Sequence, residues 1–134
     1  MYSRAHGAVG TLVSVAWLGP RLPETPVPVA LAVVAYGVAV SVLIDLDHFL
    51  LARVQAGDWT HLRRALSDPA RALWDQAWVL EGVELERQRL ATHVVVGTAL
   101  VVGLWLVTPA LARLTAALLG AHVLADLLRD YGVA

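Results

Sequence analysis

The chain of 134 residues contains no cysteine, which excludes a disulfide, a thiolate nucleophile and a cysteine-ligated zinc. Any metal it binds must be met by nitrogen and oxygen donors. Lysine is missing as well: all ten basic residues are arginine, set against 11 acids for a net charge of -1. A balance so near neutrality, without a run of basic residues, gives no electrostatic footprint for nucleic acid, and none is expected as a ligand. HExxH, GxSxG and P-loop patterns are absent, which argues against the enzyme classes built on them. Charge itself is scarce. Only 16% of residues are charged and 58% are hydrophobic, with a mean hydropathy of +0.66, above what a water-soluble domain of this size usually carries. The richness in Ala, Val, Leu and Arg suggests a GC-rich prokaryotic genome.

Four apolar stretches stand out: Ala8 to Leu18, Val27 to Ile44, Val94 to Val107 and Ala110 to Leu128. A helix needs about 20 mostly apolar residues to cross a hydrocarbon core of roughly 30 Å. The second and fourth stretches meet that directly. The first does so by starting near Tyr2 with Arg4 snorkelling, and the third by borrowing Leu90 to His93. His6, Gly7 and Gly10 argue that the first segment is a retained helix and not a cleaved leader. Gly19, Pro20, Pro23, Pro26 and Pro28 separate the first pair, and Thr108 with Pro109 makes a tight reversal in the second. The fold expected is all-α: one integral membrane domain over 1–134, a four-helix bundle with spans near 2–19, 27–48, 90–107 and 110–128.

The polar segment 53–91 holds six of the ten arginines. Within it Pro69 starts a pattern, Ala70, Leu73, Trp74, Ala77 and Trp78, at helical spacing, which predicts an amphipathic helix lying at the headgroup boundary. Four spans put both termini and this segment on one side. That side carries Arg4, Arg53, Arg63, Arg64, Arg71, Arg87, Arg89 and Arg129, the other only Arg21 and Arg113. The positive-inside bias makes the arginine-rich side cytoplasmic, so the protein is expected in the cell membrane with both termini inside the cell.

Titratable groups inside a span are costly and usually face an interior site. His6 begins the first span; Asp45, Asp47 and His48 end the second; His93 opens the third; His122 and Asp126 close the fourth. All belong to the cytoplasmic end. Wet helix ends would collect polar residues at both boundaries, yet the outer ends carry only Arg21, Glu24 and Arg113. His122 and Asp126 are i, i+4 and share a face, as Asp45 and His48 do at i, i+3. Asp47 lies about 200° from Asp45 on a straight helix, so both turn inward only if the helix loosens there. The set suggests a divalent metal bound by His6, Asp45, His48, His93 and His122, with Asp47 or Asp126 as general base. Zinc suits these donors best, and manganese or iron also fits. Arg89 or Arg53 would neutralise a phosphate. His61, beside Arg63 and Arg64, reads as a solvated surface histidine.

An N-terminal His followed by glycines, D-x-D-H closing a second hydrophobic segment, Thr-His opening a third and H-x-x-x-D closing a fourth resembles the YdjM-type family of membrane-bound metal-dependent hydrolases. The matching residues are His6, Asp45, Asp47, His48, His93, His122 and Asp126. The resemblance implies an inner-membrane protein with a His/Asp metal site and hydrolase activity. The expected function is hydrolysis of an ester or phosphoester, with membrane lipid as partner and a candidate substrate. The alternative is a non-catalytic membrane protein whose His/Asp cluster is a structural metal clamp or polar network and whose loop binds a partner. Small residues at four-residue spacing, Ala99 with Gly103 and Ala116 with Gly120, offer close-packing faces within the chain or between copies as a homo-oligomer.

Overall fold

The structure, a computed structural model, describes residues 3–83 and 86–132, without the side chains of residues 3, 73, 74, 76, 86 and 87. Helices make up nearly all of it and no strand occurs among the described residues: α1 (Ser3–Leu18), α2 (Val27–Leu43), α3 (Asp47–Ala56), α4 (Thr60–Ser67), α5 (Pro69–Trp74), α6 (Gln76–Val79), α7 (Glu86–Val107) and α8 (Pro109–Asp130). Two 3₁₀ segments, Gly19–Glu24 and Ile44–Leu46, join α1 to α2 and α2 to α3. Three helices are long and apolar enough to cross a membrane: Val27–Ala56, which runs through α2, the 3₁₀ turn and α3, then Gln88–Val107 and Pro109–Asp130. Helix α1 has 16 residues, about 24 Å at 1.5 Å each, so it falls short of that length by itself. The start of the first segment expected at residue 2 lies outside the described residues.

Small residues decide how the long helices meet. α1 packs on α2 and α8, α2 also on α8, and α7 on α8. Where α1 crosses α2, a Cβ on Gly10 would sit 2.5 Å from the Gly37 carbonyl oxygen, closer than real Cβ atoms approach. Only glycine allows the two backbones this distance, and the fully buried Ser14 and Ser41 continue the same seam. Across α7 and α8 the corresponding contact is Gly97 against Leu119. Gly103 and Gly120 face open space within the chain, so the small-residue faces named from the sequence do not form this packing. Tyr36 and Thr115 join α2 to α8 through their hydroxyls at 2.6 Å. Because Thr115 gives its own proton to the Leu111 carbonyl, the tyrosine is the donor. Outward from these seams the long helices expose Leu12, Leu31, Val95, Leu106 and Leu124, an apolar surface suited to lipid.

The segment after α3 departs from expectation in two ways. A left-handed Gly57 ends α3, in the usual C-terminal glycine role. The single amphipathic helix expected from Pro69 to Trp78 is then broken at Asp75 into α5 and α6. The cause is local capping. Asp58 accepts from the Thr60 N–H, Asp68 from the Arg71 N–H and Asp75 from the Trp78 N–H. Each aspartate thereby offers the next orphan donors a partner and starts a new short helix. The same backbone bond from Thr60 holds the Asp58 carboxyl below its ordinary pKa. The expected stripe included Leu73 and Trp74, whose side chains lie outside the described ones. Trp78 lies under the Arg71 guanidinium, 4.3 Å from its ring centre.

His61 also differs from the solvated histidine that its neighbours suggest. It is buried, and its Nδ1 pairs with the Val79 carbonyl at 2.8 Å. Arg64 donates to the Trp78 carbonyl beside it. The two side chains from α4 thus serve carbonyls at the end of α6 that the helix itself leaves free. A histidine flanked by arginines reads as solvated in one dimension, and the fold turns it inward instead.

Candidate metal centre

Seven side chains from five helical segments meet at one end of the bundle. His6 comes from the first turn of α1, Asp45 from the 3₁₀ turn, Asp47 and His48 from the start of α3, His93 from α7, and His122 with Asp126 from α8. The 3₁₀ turn at Ile44–Leu46 solves the problem set by the two aspartates. Asp45 and Asp47 are about 160° apart on an α-helix, whereas the tighter 3₁₀ winding narrows this to about 120°. Both then reach the same imidazole: His93 Nδ1 lies 2.7 Å from Asp47 Oδ2, and its Nε2 lies 3.1 Å from Asp45 Oδ1.

Asp45 is the hub. Its Oδ1 also lies 3.5 Å from His122 Nε2 and 3.9 Å from His48 Nδ1, while Oδ2 lies 3.6 Å from His6 Nε2. Asp126 closes the far side, with Oδ1 3.5 Å from His6 Nε2 and Oδ2 3.6 Å from His122 Nε2. The rings themselves are stacked or tilted against one another. His6 and His122 lie 3.8 Å apart and nearly parallel, and His93 is 5.1 Å from both His48 and His122. None is open to solvent, with His6 and His122 at 0% exposure, Asp126 at 1% and His93 at 2%.

The His122 tautomer follows from its partner. A carbonyl only accepts, so His122 donates from Nδ1 to the Ser41 carbonyl at 3.0 Å, leaving Nε2 as the acceptor in the neutral ring. His93 has a carboxylate at each ring nitrogen, Asp47 at Nδ1 and Asp45 at Nε2, so a neutral ring donates to only one of them and faces the other acceptor to acceptor. Two acceptors so close repel unless a proton or a cation stands between them. Among the described residues, both nitrogens of His6, Nε2 of His48 and of His122, Oδ2 of Asp45 and Oδ1 of Asp47 are buried without a hydrogen bond. Three combinations, His6–Asp45–His122, Asp45–His48–His93 and His93–His122–Asp126, each bring three ligand atoms within 4.8 Å of one another and can hold a metal ion. The donor chemistry fits a divalent ion, since imidazole and carboxylate together suit zinc, manganese or iron. A carboxylate at His93 Nδ1 and a backbone carbonyl at His122 Nδ1 are the supports that orient metal-binding histidines.

The seven histidines and aspartates named from the sequence, His6, Asp45, Asp47, His48, His93, His122 and Asp126, lie together here. Asp47 stands one step back from Asp45, gripping His93. Two participants carried no such expectation. The Ser41 carbonyl is a main-chain atom, invisible to residue typing. Asp130 reads as exposed and without role, yet both its oxygens accept from Arg89 Nη2, at 2.9 and 3.1 Å, and Arg89 Nε lies 3.9 Å from Asp126 Oδ2. Its i, i+4 relation to Asp126 was the available signal. Arg53 does not join them: it donates to the Gly57 carbonyl and stacks on Trp59. Comparison with protein families, with curated proteins and with solved structures found no match.

Proposed function

We propose that this chain is a membrane-embedded metal-dependent hydrolase that acts on an ester or phosphoester at the cytoplasmic membrane face, as its resemblance to the YdjM-type hydrolases implies. The carrying observation is the fixed orientation of His93 and His122. Each has Nδ1 at a support and turns Nε2 toward the Asp45 carboxylate, an arrangement that suits a cation. Three carboxylates, Asp45, Asp47 and Asp126, meet there, with the Arg89 guanidinium beside Asp126. Buried charge of one sign needs compensation, and a divalent ion supplies it. Zinc is first choice for the metal, held by His6, Asp45, His48, His93 and His122 with Asp126 adjoining.

A divalent ion at such a site polarises water and offsets negative charge developing on the substrate. The chain's own residues would do the rest. Asp47 Oδ1, buried without a hydrogen bond, accepts a proton as the water oxygen bonds to the carbonyl carbon or phosphorus. The bond to the leaving alcohol oxygen breaks, and the same proton passes to that oxygen. Asp126 is the second candidate for this role, and Arg89 stands beside it to balance an anionic group.

The membrane arrangement belongs to the same proposal. α1 with its 3₁₀ extension forms a fourth span beside the three longer helices, completing a four-helix bundle. The eight-to-two arginine split places the termini and the α4–α6 segment in the cytoplasm. A second reading, a closed structural clamp, draws support from the complete burial of His6 and His122. Metal analysis of the detergent-purified protein separates the readings when paired with hydrolysis of a chromogenic ester and a phosphodiester. Bound zinc, manganese or iron, with metal and turnover lost in His122→Ala but metal kept in His61→Asn, is the expected result. A metal-free wild type whose thermal midpoint ignores chelators and added zinc or manganese would overturn it in favour of a polar helix-joining network.

A further inference from the structure

Between α2 and α7 lies a cleft of about 550 Å³, walled by Tyr36, Leu43, Val96 and Leu100 and reaching Asp47 and Leu50 at its α3 end. α7 is braced by α8, α3 and the 3₁₀ turn. The cleft therefore reaches from the apolar flank of the bundle to Asp47, the residue that grips His93. Asp47 is its only charged lining residue among those described.

We propose that this cleft takes one acyl chain of a membrane lipid, so that the substrate of the His/Asp centre is a lipid whose ester or phosphoester group lies at Asp47. The inference rests on the hydrolase reading for its chemistry, and on three features of the cleft for its occupant. First, its walls belong to the helices that are long and apolar enough to cross a membrane, so the medium that reaches them is hydrocarbon. Second, Asp47, the one charged lining residue among those described, lies towards one end of the cleft, as the polar group of a lipid lies at one end of its chain. Third, the run from Tyr36 to Asp47 is eleven residues, about 16 Å, close to half of a hydrocarbon core of roughly 30 Å and so to the reach of a chain within one leaflet. Leu43 and Leu46 are 55% and 53% exposed along it, apolar area that an acyl chain would cover at a gain proportional to the area buried.

A photoreactive lipid tests this. The wild-type protein is placed in vesicles of phosphatidylethanolamine and phosphatidylglycerol that contain a phospholipid with a diazirine on its acyl chain. It is then irradiated and its adducts mapped, with metal content measured on the same samples. Adducts should concentrate on 36–47 and 96–100. Ala39→Trp, on the α2 wall, and Val96→Trp, on the α7 wall, should each reduce them about tenfold or more, since a packed indole leaves no room for the chain. Metal content should be unchanged in both variants, which also shows that the bundle has folded. Leu31→Trp, at an exposed position of α2 outside the cleft lining, should label as the wild type does. Adducts spread evenly over the four long helices would overturn the cleft as a lipid site. So would adducts unchanged in both tryptophan variants, or a chain-to-chain crosslink in place of a lipid one. Cleft adducts on a protein without metal would support the lipid site while sinking the hydrolase reading.

Discussion

Asp47 and Asp75 are the same side chain put to opposite uses in two regions of the molecule. Asp75, in the polar segment, accepts from an N–H three residues away and starts a four-residue helix. Asp47, at the head of the bundle, binds an imidazole 46 positions along the chain. The histidines divide in the same way. His61 is satisfied by one carbonyl, whereas His93 lies between two carboxylates. In the α4–α6 segment each polar group is answered locally and the structure is a chain of caps. At the bundle head the polar groups face one another, in an arrangement that can hold a cation. Burial alone therefore does not distinguish the two kinds of histidine; the nature of their partners does.

The comparison breaks most readily at Asp47. Asp47→Asn keeps the size but loses the charge that orients His93, and should weaken metal binding about 10- to 100-fold, as losses of such supporting carboxylates do. Titration of the apoprotein with zinc would measure it, and an unchanged affinity would put Asp47 outside the site. Next in size is His61→Ala, which leaves the Val79 carbonyl without its partner in a buried position. The expected cost is about 1 to 3 kcal/mol, confined to the α4–α6 segment. Amide hydrogen exchange should quicken over 60–80 with metal affinity unaffected, and a fall in metal affinity would show that the α4–α6 segment, which lines a cavity together with Asp45 and His48, also supports the site. Smallest is Asp75→Ala. Loss of one helix-starting aspartate costs about 1 kcal/mol, visible as faster exchange at Trp78 and Val79. If exchange there is unaltered, capping is not what divides α5 from α6.

Much of this organisation is written in residue types and spacing. Apolar runs interrupted by Gly19, Pro20 and Pro109 give the long helices, and the pairs Asp45–His48 and His122–Asp126 share faces because 3 and 4 residues nearly complete an α-helical turn. The aspartates at 58, 68 and 75 were legible as helix starts too, yet a hydrophobic period running across Asp75 outweighed them in reading one helix from Pro69 to Trp78. Local hydrogen bonding overrode the periodicity because α5 and α6 are too short for a continuous apolar face to stabilise. His61 illustrates the opposite gap: Arg63 and Arg64 advertise a solvated stretch, and nothing nearby in the chain announces that the end of α6 needs a donor.

The sequence by itself determined that the protein is helical, that several helices are apolar enough for a membrane, and that four of its five histidines and its inner aspartates gather at one end. Those properties depend on composition and on separations of a few residues. Tertiary structure alone decided that the Ile44–Leu46 turn brings Asp45 and Asp47 onto one imidazole, that Ser41 lends His122 its carbonyl, and that α2 and α7 leave a cleft reaching Asp47. Each depends on atoms dozens of positions apart, placed by how closely Gly10 lets α1 approach Gly37 and Gly97 lets α7 approach Leu119. Spacing along a helix fixes direction around its own axis, but it says nothing of the distance or rotation of the next helix, and metal chemistry is decided within an ångström of both.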